Sequence, residues 1–86
     1  MIEVKKFSAE WCSPCRMLKS VFSEVTSEVS GVRFTDIDVD LKSDVAKKYG
    51  VRSIPLVVIE KDGQEVKRIQ GSQPKSTYVN AINGCR

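Results

Sequence analysis

Two cysteines three residues apart, in Trp11-Cys12-Ser13-Pro14-Cys15, stand where a strand pattern gives way to a helix pattern. That junction constrains the chain more than any other feature. Ile2 to Phe7 reads as a strand, with Ile2, Val4 and Lys6 on one side and Glu3, Lys5 and Phe7 on the other. Beyond the cysteines, Met17, Leu18, Val21, Phe22, Val25 and Val29 recur every three or four residues. This is the spacing of an amphipathic helix of about four turns, with Gly31 as its stop. Pro14 suits the first helical turn, where a missing N–H costs little and a fixed φ favours helix. The first sulfur therefore sits at the positive end of a helix, which favours a thiolate. The second falls on the same helix face, roughly 5–6 Å away between Cβ atoms. It is placed to attack a mixed disulfide formed at the first sulfur and to release the product. By its physics this is a redox site.

The 86 residues suffice for one small domain, residues 1–86, and leave no room for two. A net charge of +3, with no dense run of Lys and Arg interleaved with aromatics, argues against nucleic acid as a ligand. The start, Met1-Ile2-Glu3-Val4-Lys5-Lys6, lacks the apolar core of a signal peptide. No stretch approaches the roughly 18–20 apolar residues of a membrane span. The expectation is a cytoplasmic monomer with no membrane contact. Three cysteines are an odd count, unlike the even sets of disulfide-stapled secreted folds. Zinc usually takes four ligands, and with no histidine in the chain no metal site is expected. The same absence excludes Cys–His nucleophilic catalysis. Cys85 reads as a packed or frayed terminal thiol, with a regulatory or intermolecular disulfide as the alternative.

Val32 to Val39 reads as a second strand, followed by a short helix over Leu41 to Tyr49 that Gly50 ends. Ile54 to Ile59 is a near-continuous apolar run, as for a strand buried on both faces. Lys61-Asp62-Gly63 signals a hairpin turn into Gln64 to Ile69, and Gly71 breaks that strand. A last helix starts near Pro74, with Tyr78, Val79 and Ile82 apolar and Gly84 at its end. The order β-α-β-α-β-β-α predicts an α/β fold: a four-stranded mixed sheet with three helices. Its first strands pair in parallel through crossovers, with the hairpin at one side.

Ala9-Glu10-Trp11-Cys12-Ser13-Pro14-Cys15 resembles the active-site stretch of the thioredoxin family in all but Ser13, where the family usually has glycine. Asp38-Val39-Asp40, and then Lys48-Tyr49-Gly50-Val51-Arg52-Ser53-Ile54-Pro55, resembles the family's second signature. Lys61-Asp62-Gly63 and Gly71 fall at family-like spacings, so the resemblance covers nearly the whole chain from Ile2. It implies the minimal thioredoxin fold, shared with glutaredoxins and small phage or archaeal thioredoxins. Ordinary thioredoxins carry one more strand and helix at the front. It further implies a redox-active Cys12–Cys15 disulfide without a cofactor, Cys12 being the exposed nucleophile and Cys15 the deeper, resolving thiol. Pro55 is expected to be cis, holding a substrate strand against Ser53 and Ile54. Trp11 and Gly71 complete the rim of a shallow apolar groove, and Ser13 and Pro14 join the substrate-binding residues. Ser13 either donates a weak hydrogen bond to the Cys12 thiolate or is inert.

The resemblance also places Lys6 where the family usually has a buried aspartate that helps move the resolving cysteine's proton. Asp36 stands where it usually has a lysine. The expectation is a reversed ion pair beneath Cys15, with Asp36 or water handling the proton; the plain alternative is that both side chains reach solvent. The implied function is a cytoplasmic protein-disulfide reductase, re-reduced by thioredoxin reductase and acting on target protein disulfides, with ribonucleotide reductase among the candidates. One rival is a glutaredoxin-like reductase using glutathione, whose carboxylates Lys47, Lys48 and Arg52 could steer. Another is a non-catalytic module docking a partner enzyme. Trp11 and Pro14 favour the first reading and the short front favours the second, while an intact cysteine pair weighs against the third.

Overall fold

Burial along the first strand decides which helices lie on which face of the sheet. In the computed structural model, which describes residues Met1–Arg86, β1 (Ile2–Ser8) buries Ile2, Val4 and Lys6 on one face and Phe7 on the other. The elements after it are α1 (Ser13–Glu28), β2 (Val32–Asp38), α2 (Ser43–Lys48), β3 (Leu56–Lys61), β4 (Gln64–Gln70) and α3 (Lys75–Gly84). Ile2 and Val4 pack with Leu18, Phe22 and Val25 of α1, Tyr78 and Ile82 of α3, and Val57, Ile59 and Ile69 of the hairpin. Phe7 packs with Ile37, Leu56 and Val58, against Val45 of α2 and the Tyr49–Val51 segment after it. Helices α1 and α3 thus cover one face and α2 the other.

The strand order is β2-β1-β3-β4. β1 and β2 are parallel, with Lys6 opposite Asp36, whereas β3 runs antiparallel to both β1 and β4. An interior strand is covered on both faces, and Leu56 through Glu60 are accordingly all buried. Asp62 and Gly63, at φ 52° and 86°, make the two-residue hairpin turn in the left-handed region that such turns require.

The predicted order and architecture hold, with three local differences. α2 begins at Ser43 rather than Leu41, because Asp38 Oδ1 accepts the backbone N–H of Asp40 and Leu41 at 2.9 and 3.3 Å. This turn leaves Leu41 exposed. β3 begins at Leu56, after Pro55, which has no N–H to give a ladder. Met17 is exposed on α1, since the buried stripe runs through Cys15, Leu18, Phe22 and Val25 and passes it on the flank.

The apolar run of β3 ends in a charge. Glu60 is only 6% exposed, with a carboxylate oxygen 2.9 Å from Lys5 Nζ. Its other oxygen accepts the Tyr49 hydroxyl, and Lys5 Nζ in turn donates to that hydroxyl oxygen at 2.7 Å. Burial by itself pushes the Glu60 carboxyl up, but the bonds from Tyr49 and Lys5 outweigh it and hold the group below its ordinary range. The hydrogen bond with Tyr49, helped by Glu60, raises Lys5 against the cost of its burial. A carboxyl with a lowered folded-state pKa stabilises the fold above the ordinary carboxylate range, and that contribution disappears as pH falls through the lowered value. Glu60→Gln should therefore cost about 2 kcal/mol at neutral pH, because Lys5 loses its counter-charge in a largely buried site. Urea unfolding midpoints at neutral pH and well below pH 4 check this, with the gap between the two proteins closing in acid.

Candidate active site

The chain leaves β1 at Ser8 and enters α1 within a few residues, so the helix N-terminus lies at the C-terminal end of β1, an interior strand. Cys12 is the N-cap of α1, in extended conformation, and its Sγ accepts the backbone N–H of Cys15 at 3.2 Å. Pro14 occupies the first turn, as expected. The two cysteines are joined as a disulfide, with Cα atoms 5.2 Å apart. An N–H aimed at Sγ from the end of a helix is the arrangement that stabilises a thiolate once the bond is reduced.

Cys12 is not the exposed member of the pair: each cysteine is 4% exposed. Both pack with Ala9 in a small apolar cluster that Val39 and Ile54 close, and the Ile54 carbonyl oxygen lies 3.9 Å from Cys12 Sγ. The loop before β3 thus helps to bury Cys12, which is as little exposed as Cys15.

Beside the disulfide runs an open, largely apolar groove of about 390 Å³, lined by Trp11, Val39, Ala46, Val51 and Ile54 with Arg52 and Ser53. Trp11 is two-thirds exposed and is held in place by its indole N–H, which donates to Asp40 Oδ2 at 2.8 Å. Asp40 belongs to the quoted Asp38-Val39-Asp40 stretch, yet no spacing rule ties it to an indole 29 residues earlier. Of the expected rim residues, Trp11, Ser53 and Ile54 line this groove. The Ile54–Pro55 bond is cis and Pro55 is buried. Gly71 stands behind that turn: its N–H donates to the Pro55 carbonyl at 2.9 Å, and its own carbonyl accepts the Tyr78 hydroxyl at 3.0 Å. Ser13 Oγ accepts from the Arg16 guanidinium at 3.0 Å, and the same guanidinium caps the Glu10 carbonyl at 2.8 Å. The Ser13 hydroxyl oxygen is thus engaged by Arg16.

On the α1 side of β1, Lys6 Nζ lies 3.3 Å from Asp36 Oδ1. The lysine side chain is buried and the aspartate side chain 79% exposed, so only one partner of the expected pair reaches solvent. The ammonium also lies 5.2 Å from the centre of the Phe22 ring, a distance at which a cation is attracted to a π face. Lys6 and Asp36 line a second cavity, of about 300 Å³, and Cys15 forms part of its wall. Cys85 is half-buried and packs against the main core.

The family model for thioredoxin matches residues 2–84. The thioredoxin of Chlamydia caviae is 42% identical over 77 residues, covering 90% of this chain and 76% of that one. Thioredoxin 1 of Synechococcus elongatus is 41% identical over 78 residues, covering 90% and 73% respectively. The solved structure of a thioredoxin from Nicotiana alata superposes with a TM-score of 0.93 at 36% identity, covering 99% of this chain and 73% of that one.

Trp11 is the chain's single tryptophan, so its emission reports on the groove without interference. Asp40→Ala should free the indole, lower its fluorescence anisotropy and raise KM for a peptide disulfide about threefold with kcat nearly unchanged, as for loss of one hydrogen bond at an exposed site. Steady-state kinetics beside the emission measurement checks both parts.

Proposed function

The chain belongs to the thioredoxin family of thiol-disulfide oxidoreductases, and on that footing we propose that it is a cytoplasmic protein-disulfide reductase re-reduced by a thioredoxin reductase. The observation that carries this reading is a disulfide at a helix N-terminus, closed over by apolar groups and flanked by an open apolar groove. The groove suits an extended segment of a target protein, with Trp11 and Ile54 as its apolar contacts and Ser53 at its wall.

In the reduced protein the Cys12 thiolate attacks one sulfur of a target disulfide. A Cys12–target bond forms, and the target's other sulfur leaves with the electron pair and takes a proton from water. The Cys15 thiolate then attacks Cys12 Sγ, the intramolecular disulfide closes, and the second target sulfur leaves as a thiol after protonation. Two electrons have passed from the cysteine pair to the target, and the family needs no cofactor for this. The proton of Cys15 goes to Asp36 or to water in the cavity that Cys15 and Asp36 share. Two electrons and two protons from the reductase side reopen the disulfide. A reducing compartment suits a carrier that must be returned to its dithiol form. Ribonucleotide reductase fits the target class as an enzyme that needs a dithiol donor.

Arg52 in the groove wall is a structural observation on the side of glutathione, whose carboxylates it could meet. Insulin disulfide reduction separates the two readings. Turnover is expected with NADPH and thioredoxin reductase and not with glutathione and glutathione reductase; the opposite result overturns the assignment. Cys12→Ser should abolish turnover. Cys15→Ser should accumulate a mixed disulfide with the substrate, visible as an added mass under non-reducing conditions.

A further inference from the structure

Lys6 is the only cation among the buried residues. Its stem is buried on the same face of β1 as Val4 and Ile2, and its ammonium lies over the Phe22 ring at 5.2 Å. The wall that Lys6 shares with Cys15 faces a cavity carrying three cations and three carboxylates. Lys6 comes from β1, Asp36 and Asp38 from β2, Glu10 from the turn before α1, and Arg16 and Lys19 from α1. The formal charges cancel, but their screening does not. Glu10, Arg16, Lys19 and Asp36 are exposed to water, and Asp38 is half-buried with one oxygen already given to two backbone N–H groups. A charge in contact with bulk water acts weakly on a neighbour, whereas one enclosed by protein acts through a lower effective dielectric. The least solvated charge in the wall that includes Cys15 is therefore positive.

We propose that the buried ammonium of Lys6 is a positioning charge for the resolving step, stabilising the Cys15 thiolate through the cavity that both groups wall. Asp36 holds the ammonium in place and leaves most of its own charge in water. Cys15 gives its proton to cavity water or to Asp36, its sulfur then bonds to Cys12 Sγ, and the bond from Cys12 to the target sulfur breaks, with the electron pair leaving on that target sulfur. Lys6 acts through its charge alone. It lowers the cost of forming the attacking thiolate, so the resolving thiol ionises at lower pH than its burial alone would allow. The physiological consequence rests on the reductase reading; the ionisation itself does not.

The test uses the full chain with Cys12→Ser and Cys85→Ser, so that Cys15 is the one thiol left, and follows thiolate absorbance in the ultraviolet against pH. Adding Lys6→Met should raise the Cys15 midpoint by about one pH unit, and Lys6→Arg should restore it. A folded Lys6→Met protein with an unchanged midpoint overturns the proposal. Should Lys6→Met fail to fold, Lys6→Gln provides the second reading, as a neutral polar side chain of similar reach: a raised midpoint is expected, and an unchanged one overturns the proposal. No substrate enters this titration, so a chain that fails to reduce insulin but shows these shifts would sink the reductase reading alone.

Discussion

Because β1 is hydrogen-bonded along both edges, to β2 in parallel and to β3 antiparallel, its register cannot slip by one residue without exchanging the two faces of the sheet. Everything functional in this protein hangs from that constraint. With Val4 committed to the face under α1 and α3, Lys6 must enter the same layer, and Phe7 must face α2. The strand's C-terminal end then delivers Cys12 to the N-terminus of α1, beside the loop that carries Ile54 and Pro55. Slipping the register would drive charged side chains of β1 into the apolar layer under α1 and α3 and take Ile2 and Val4 out of it.

The sheet carries one charged cluster on each face, and the two differ in what surrounds them. On the α2 face, Lys5, Tyr49 and Glu60 satisfy one another, and no buried side-chain polar atom in the protein lacks a partner. Such a closed set ties the end of α2 to the middle of the sheet and so holds the Val51–Ile54 wall of the groove. Its worth lies in geometry, since a buried ion pair gains little over an apolar replacement and loses much when one partner is removed. On the α1 face, Lys6 has one partner in water and opens onto a cavity that a redox sulfur shares. One arrangement is sealed and holds shape. The other remains in communication with the chemistry.

The parts legible in the sequence were those set by local periodicity and short-range chemistry. Alternation in Ile2 to Phe7, the three-to-four spacing of Leu18, Phe22 and Val25, and the Asp62-Gly63 turn each specify their own geometry. The resemblance supplied the cis Ile54–Pro55 bond and the pairing of Cys12 with Cys15. What stayed hidden were contacts between segments far apart in the chain. The expected exposure of Cys12 failed because the Ile54 loop, 42 residues on, folds over it. Glu60 stood at the end of an apolar run, with nothing nearby to announce that Lys5 and Tyr49 would enclose it. Leu41 was expected to start a helix and Met17 to share the apolar series of α1, yet a turn held by Asp38 and the phase of α1 turn both to solvent.

The order of elements, the faces of the first strand and the placing of two thiols at a helix start were determined by the sequence alone, because each depends on residues within one or two turns of each other. Tertiary structure decided that both cysteines are covered, which residue holds Trp11, and that one lysine lies buried at the cavity Cys15 lines. Burial and screening are properties of everything packed around an atom. No stretch of chain carries them until the sheet has brought its distant segments together.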